Sequence, residues 1–216
     1  MAVFADRAEA GRKLAERLLD YRGREGLLVL ALPRGGVVVG FAVAEMLKAS
    51  LDVFIVRKIG FPGQPELAIG AVAETGVRVV NDFLLSHYGI PQSYIEQQNE
   101  VLKKEIAKRI ELYRNGKNLP PLKGRTVILV DDGVATGSTM KAAIETLRKA
   151  ELERLVVAIP VAPLDTAEEL EDMADDFICL LMPDDFIAVG AYYEDFRQTT
   201  DEEVVDMIVR SDLKGT

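Results

Sequence analysis

The stretch Val127-Ile128-Leu129-Val130-Asp131-Asp132-Gly133-Val134-Ala135-Thr136-Gly137-Ser138-Thr139 decides how the rest of this 216-residue chain is read. Four apolar residues run into two carboxylates, then a loop of small and hydroxyl residues, then a helical pattern opening at Ser138. An unbroken apolar run predicts a strand buried on both faces, as in the middle of a parallel sheet. Gly133, Ala135 and Gly137 let the backbone approach a ligand. Thr136, Ser138 and Thr139 offer hydroxyls, and a helix start aims unpaired N–H groups at an anion. The segment reads as a phosphate cradle. Neither Gly-x-x-x-x-Gly-Lys-Ser/Thr nor a Gly-x-Gly-x-x-Gly after a strand occurs, so the fingerprints for nucleoside triphosphates and dinucleotides are missing. A simple monophosphate is the expected anion.

Asp131 and Asp132 would repel that phosphate, so they need a different partner. A strand end can be capped by one Asp, and a sugar diol gives two carboxylates something to accept from. Phosphate on the loop and diol on the acids together describe a ribose 5-phosphate.

Working outward, apolar runs at Leu27 to Leu32, Val53 to Val56, Val156 to Val161 and Phe177 to Leu181 predict four further strands. Helical patterns at Gly36 to Ala49, Ser138 to Ala150 and Thr166 to Met173 alternate with them, the last opened by a capping-box pair, Thr166 and Glu169. The expected fold is α/β, a doubly wound, mainly parallel five-stranded sheet with helices on both faces, in one domain spanning residues 1–216. Residues 68–80 read as a projecting hairpin turning at Thr75-Gly76. Residues 91–115 read as a long helix whose Ile95, Leu102, Ile106, Ile110 and Tyr113 share a face, with Lys103, Lys104, Lys108 and Arg109 solvated elsewhere.

The first strand leads into Pro33-Arg34-Gly35-Gly36 and a helix, repeating the strand, turn, helix plan. Gly35 and Gly36 allow unusual backbone angles, and the fork of Arg34 suits phosphate oxygens. Arg57 and Lys58 follow the second strand, where open α/β sheets bind ligands. The Gly/Pro-rich residues behind them, to Glu66, suit a mobile lid.

These residues resemble the type I phosphoribosyltransferases, whose signature is four apolar residues, two acids, two apolar residues and a Thr/Gly-rich loop; the match covers the thirteen positions quoted above. The resemblance implies that Ala135, Thr136, Gly137, Ser138 and Thr139 hold the 5-phosphate of phosphoribosyl pyrophosphate (PRPP). Asp131 and Asp132 would take the ribose hydroxyls, with Mg2+ accompanying the pyrophosphate and touching the two acids through water. Arg34, Gly35, Gly36 and Lys58 would hold pyrophosphate, and Arg34, Arg57 and Lys58 would stabilise it electrostatically as it leaves. Two positions depart from the pattern: Gly133 replaces an apolar residue, and Ala135 replaces the aspartate that base-salvage members use to exchange a proton with a purine. The family's acceptor lies under a hood built from chain termini, here about 183–216 and the N-terminal residues. Phe186, Tyr192 and Tyr193 are its candidate contacts, with Phe196 close by; a satellite core would explain these aromatics equally well.

Composition bounds the rest. One cysteine, Cys179, and one histidine, His87, make internal disulfides and thiolate or imidazole metal sites untenable. The net charge is −9, but residues 1–164 carry 23 basic and 19 acidic side chains, while residues 165–206 carry 15 acidic and one basic. That distribution excludes a nucleic-acid polymer and admits a small magnesium-bound polyphosphate. No membrane segment is expected, and the charged N-terminus and single cysteine point to the cytoplasm. The expected activity is transfer of ribose 5-phosphate between PRPP and a nitrogenous acceptor. The alternative is a non-catalytic PRPP- or nucleotide-binding regulator; a homodimer is compatible with either.

Overall fold

A computed structural model describes residues 3–214. In chain order the elements are α1 (Arg7–Glu16), β1 (Leu28–Ala31), α2 (Gly35–Leu47), β2 (Ser50–Val53), β3 (Val56–Phe61), β4 (Gln64–Ala73), β5 (Arg78–Val80), α3 (Asp82–Tyr88), α4 (Gln92–Arg114), β6 (Thr126–Val130), α5 (Ser138–Arg148), β7 (Arg154–Val161), α6 (Leu164–Glu171), β8 (Asp176–Leu181) and α7 (Asp201–Lys214). Five strands form a parallel sheet in the order β2-β1-β6-β7-β8, and β3, β4 and β5 form a separate antiparallel sheet.

The parallel sheet owes its burial to alternation along apolar runs. Val29 and Ala31 of β1, with Ile128 and Val130 of β6, face a core shared with Leu14 and Leu18 near α1, Val39 and Val43 of α2, and Val204 of α7. Their neighbours Leu28, Leu30, Val127 and Leu129 face the opposite core, shared with Ile144 and Leu147 of α5 and Leu170 of α6. Successive residues of a strand point to opposite faces, so a run apolar at every position is covered twice.

The expected hairpin is present: β4 pairs antiparallel with β5, and Gly76, at φ +79°, makes the turn. It belongs to a larger arm, because β3 pairs with β4 as well and turns at Pro62-Gly63. The base of this arm is core on both faces. Ile59, Ile69 and Val72 join Ile95, Leu102 and Ile106 of α4, while Val56, Ala71 and Ala73 join Met140 and Ile144 of α5.

Two expectations are corrected. Val53 to Val56 is not one strand: parallel pairing ends at Val53, and Val56 opens the antiparallel arm. Arg57 and Lys58 therefore lie inside an arm strand and not at the end of a sheet strand. Helix α6 begins at Leu164 after Pro163, whose fixed φ suits a helix entry, so Thr166 is no cap. Its Oγ1 instead donates to the Ala135 carbonyl at 3.1 Å.

Two pins fix the rest. Arg114, in the last turn of α4, donates from Nη2 to Glu74 Oε2 and lies 3.7 Å through Nη1 from Asp52 Oδ2. Glu74 Oε1 accepts the Ile55 N–H at 2.7 Å, so one buried cluster ties arm, sheet and α4 together. At the other end, Phe4 and Ala5 run beside Tyr192 to Asp195, with Glu194 N–H donating to the Phe4 carbonyl and Asp195 N–H to the Ala5 carbonyl, each at 2.9 Å. Among the described residues no helix is long and apolar enough to cross a membrane.

Candidate active site

The strand order places the site. From β1 the chain moves to β2 on one side and later resumes at β6 on the other, which opens a crevice beyond the C-terminal ends of β1 and β6. Two helices start at this crevice, α2 at Gly35 and α5 at Ser138. Neither has a side-chain cap, which leaves the N–H groups of both first turns without a capping acceptor. Asp131 and Asp132 stand between them.

The loop after β1 and the acidic pair are in direct contact. The Pro33–Arg34 peptide is cis, and Arg34 occupies the cap position of α2. A Cβ on Gly36 would lie 2.9 Å from both Cα and Oδ1 of Asp131, and one on Gly35 would overlap the Asp132 carboxylate. Both glycines are required by this approach, a stronger reason than turn geometry alone. Asp131 Oδ1 accepts the Asp132 N–H at 2.8 Å. Asp132 Oδ2 accepts from Arg7 Nε at 2.6 Å, and its carbonyl accepts from the Tyr193 hydroxyl.

Burial pushes the Asp131 carboxyl well above the usual carboxylate range, and the neighbouring Asp132 charge pushes it further. Asp132 is raised as well, by burial, against the opposing pull of Arg7. Such a pair gains from a ligand that donates hydrogen bonds to it.

Beyond the acids, Val134 N–H donates to the Val161 carbonyl at 2.9 Å and Gly137 takes φ +71° to start α5. Thr136 and Ser138 hydroxyls are 3.1 Å apart. Ala135, Thr136 and Thr139 are exposed and Ser138 is half-buried. Beside this loop lies a cavity of about 720 Å³ whose lining includes Ala135, Thr136, Pro163, Asp184 and Phe186.

The remaining candidates separate. Arg57 and Ile59 share the α4 face of β3, and Arg57 Nε lies 3.7 Å from Glu105 Oε2 of α4. Lys58 shares the α5 face with Val56. The two cations therefore point to opposite sides of the arm, and only Lys58 is on the side of the small-residue loop. Tyr193 is 5% exposed, its ring packed against Phe4 and Phe196 and its hydroxyl donating to the Asp132 carbonyl. Phe186 and Tyr192 stack at 5.7 Å, and Phe186 reaches the cavity. Ile187, beside it, is 83% exposed. His87 sits between Phe83 and Tyr88 on α3, and burial pushes the Cys179 thiol up to about 11; neither belongs to the crevice.

The family model for the phosphoribosyl transferase domain matches residues 4–197. The chain belongs to this family. A Mycobacterium tuberculosis protein provisionally named a phosphoribosyl transferase is 44% identical over 211 residues, 98% of this chain but 47% of that protein. The chain thus spans about half the length of the curated relatives it matches. A hypoxanthine/guanine phosphoribosyltransferase of Methanocella paludicola is 33% identical over 102 residues, 44% of this chain and 51% of that protein. Among solved structures, the protein TT1426 from Thermus thermophilus is 45% identical and superposes with a TM-score of 0.87, covering 97% of this chain and 99% of that one.

Within this phosphoribosyl transferase domain, the departure at Gly133 has a packing cause. A Cβ there would lie 2.5 Å from Val189 Cγ1 and 2.9 Å from Val161 Cγ1, so Val189, arriving from the C-terminal segment, fills the space a side chain would take. Gly133→Val is expected to destabilise the domain by about 1–3 kcal/mol, a fall in Tm of roughly 2–12 °C at this size, read by calorimetry. An unchanged Tm would show that Val189 is free to move.

Arg7 is the residue sequence reasoning missed. It lies 125 positions from Asp132, and its own surroundings look like an ordinary helix start behind the Asp6 cap. The only local signal was the adjacency of termini implied by a hood.

Proposed function

We propose that this domain transfers a 5-phosphoribosyl group between PRPP and a nitrogenous acceptor, with pyrophosphate as the leaving group. The observation that carries the reading is the pair of helix N-termini flanking two carboxylates at one crevice. An anion site at each end with diol acceptors between them is the complement of a ribose bearing phosphate at C5 and pyrophosphate at C1.

In this reading the N–H groups and hydroxyls of Ala135 to Thr139 hold the 5-phosphate, and Asp131 and Asp132 accept from the ribose hydroxyls. Gly35, Gly36 and Arg34 take the pyrophosphate, with Lys58 approaching from the arm. As the C1–O bond breaks, charge grows on the pyrophosphate and the ribose becomes oxocarbenium-like, so these residues act by positioning and electrostatics. No protein nucleophile is needed. Among the described residues no group of three or more His, Cys, Asp or Glu side chains stands together as a cage. Two carboxylates still suit Mg2+, which keeps several waters and leans on substrate phosphates, and when bound it supplies positive charge to the leaving group. Arg57 is left to anchor the arm on α4.

The cavity beside the loop suits the acceptor, with Phe186 as its stacking face. The hood over it is residues 183–199 with the N-terminal residues; α7 packs instead on α2, α4 and β2. Asp165, Glu168, Glu169 and Asp184 line the same cavity against one cation, Lys141, which pairs with Glu169; the excess of acids favours a neutral or cationic base over an acidic one. Similarity to the Methanocella enzyme supports a purine, while Ala135 offers no carboxylate for purine proton exchange. That alanine is what favours the second reading, a PRPP- or nucleotide-binding regulator without turnover.

Pyrophosphate release from PRPP and Mg2+ with a panel of purines, pyrimidines and amines tests the proposal. Release with one acceptor class supports it; tight binding with no release for any acceptor supports the regulator; release without acceptor sinks both. A pH dependence follows from the acids. Their raised pKa values mean that lowering pH protonates them earlier than ordinary carboxylates, and a protonated acid loses acceptor capacity. PRPP affinity is expected to fall with pH, about tenfold per unit below the apparent pKa of the pair, with protons released on binding. Calorimetry in buffers of different ionisation enthalpy reads that release, and none would contradict the assignment.

A further inference from the structure

Arg7 opens α1, yet its side chain is 10% exposed and engaged on three sides. Nε donates to Asp132 Oδ2 at 2.6 Å, Nη1 donates to the Arg197 carbonyl at 2.7 Å, and the guanidinium carbon lies 3.8 Å from the centre of the Phe196 ring. The position of a Cβ on Gly35 is 2.9 Å from Arg7 Nε, so guanidinium, carboxylate and the start of α2 occupy one packed junction. Phe196 in turn stacks on Tyr193 at 5.0 Å, and Tyr193 holds the Asp132 carbonyl. Asp132 is thus gripped at its side chain by α1 and at its backbone by the C-terminal segment.

A planar guanidinium held by a carbonyl and an aromatic face has a fixed direction, which an exposed arginine lacks. A carboxylate tied to it through Oδ2 has its other oxygen fixed as well. The same contact compensates one of two adjacent carboxylates, and without it both would oppose an anionic ligand.

We propose that Arg7 is a positioning residue for Asp132: it sets the orientation of the Asp132 carboxylate and supplies the counter-charge that lets the acidic pair accept a phosphorylated sugar. The proposal rests on the reading of Asp131 and Asp132 as ribose contacts. Arg7 acts through Asp132 and not on the ligand.

A double-mutant cycle on PRPP binding with Mg2+, read by calorimetry on the full chain, tests it. Arg7→Met keeps much of the aliphatic stem and removes the fork. Arg7→Met is expected to weaken PRPP binding by at least about tenfold when Asp132 is present, and by less than about twofold in an Asp132→Asn background. Arg7→Lys, which keeps the charge, is expected to restore part of the affinity only when Asp132 is present. Equal losses on both backgrounds, no loss at all, or no rescue by lysine would overturn the proposal. If Arg7→Met does not fold, Arg7→Gln carries the same cycle. The ribose reading is tested separately within the same set: wild-type affinity in Asp132→Asn alone sinks that reading, whereas a loss there with Arg7 effects that persist sinks the role of Arg7.

Discussion

Replacing both acids together, Asp131→Asn with Asp132→Asn, is expected to weaken PRPP binding at pH 7.5 by about 100-fold or more, while the fold is retained. Each carboxylate stands to lose a charge-assisted hydrogen bond of about 1.5–3 kcal/mol to a ribose hydroxyl. The two together correspond to a factor of roughly 10² to 10⁴ in Kd. The amides keep the shape; removing the Asp131 charge, which burial disfavours, relieves a cost that works against the loss of the Asp132–Arg7 ion pair. Lost binding with a fold that still unfolds cooperatively is therefore the signature of acids kept for the ligand. Isothermal titration and calorimetry on one preparation read both quantities. Unchanged affinity would remove the ribose from this part of the crevice.

Arg114→Met is expected to cost about 3–5 kcal/mol of stability, a large loss for a change far from the crevice. Arg114 and Glu74 are 5% and 2% exposed at their side chains, so the substitution leaves a buried carboxylate facing apolar surroundings, with the Ile55 N–H among its few partners. Glu74→Gln alone is expected to cost less, because the amide still accepts from Ile55. Denaturant unfolding measures both. Equal, small losses would mean that water reaches the cluster and screens it.

The fold was legible because its central strands carry long apolar runs, Leu28–Ala31 and Val127 to Val130 among them, and its helices are apolar at every third or fourth position. Both patterns are local and their physical causes lie within a few residues. The same holds for Asp131 to Thr139 and for Pro33 to Gly36, where one short segment carries strand, turn and helix start together. What failed was long-range. Val53 to Val56 looks like one β-branched run, and only the pairing of Val56 with Ala73 shows that it spans two sheets. Arg57 and Lys58 read as one cationic site, but alternation within β3 divides them. Thr166 and Glu169 fit a capping box, but Pro163 starts the helix earlier and Thr166 is drawn to Ala135. Arg7 and Val189 complete the site from opposite ends of the chain, and nothing adjacent to either in sequence records the partner it meets.

The arm packed between α4 and α5 confines where this chain is able to breathe. Amide protons from Ile69 to Ala73 are locked in a ladder covered on both faces, so their exchange with solvent should require unfolding of the whole domain. Those around the turn at Pro62-Gly63 have no such cover and should exchange through local opening. The boundary between the two regimes falls near Gly60, where the ladder is irregular and the Tyr94 hydroxyl holds the Gly60 carbonyl at 2.9 Å. Any movement of the tip would then turn about that tether, on a base that stays still.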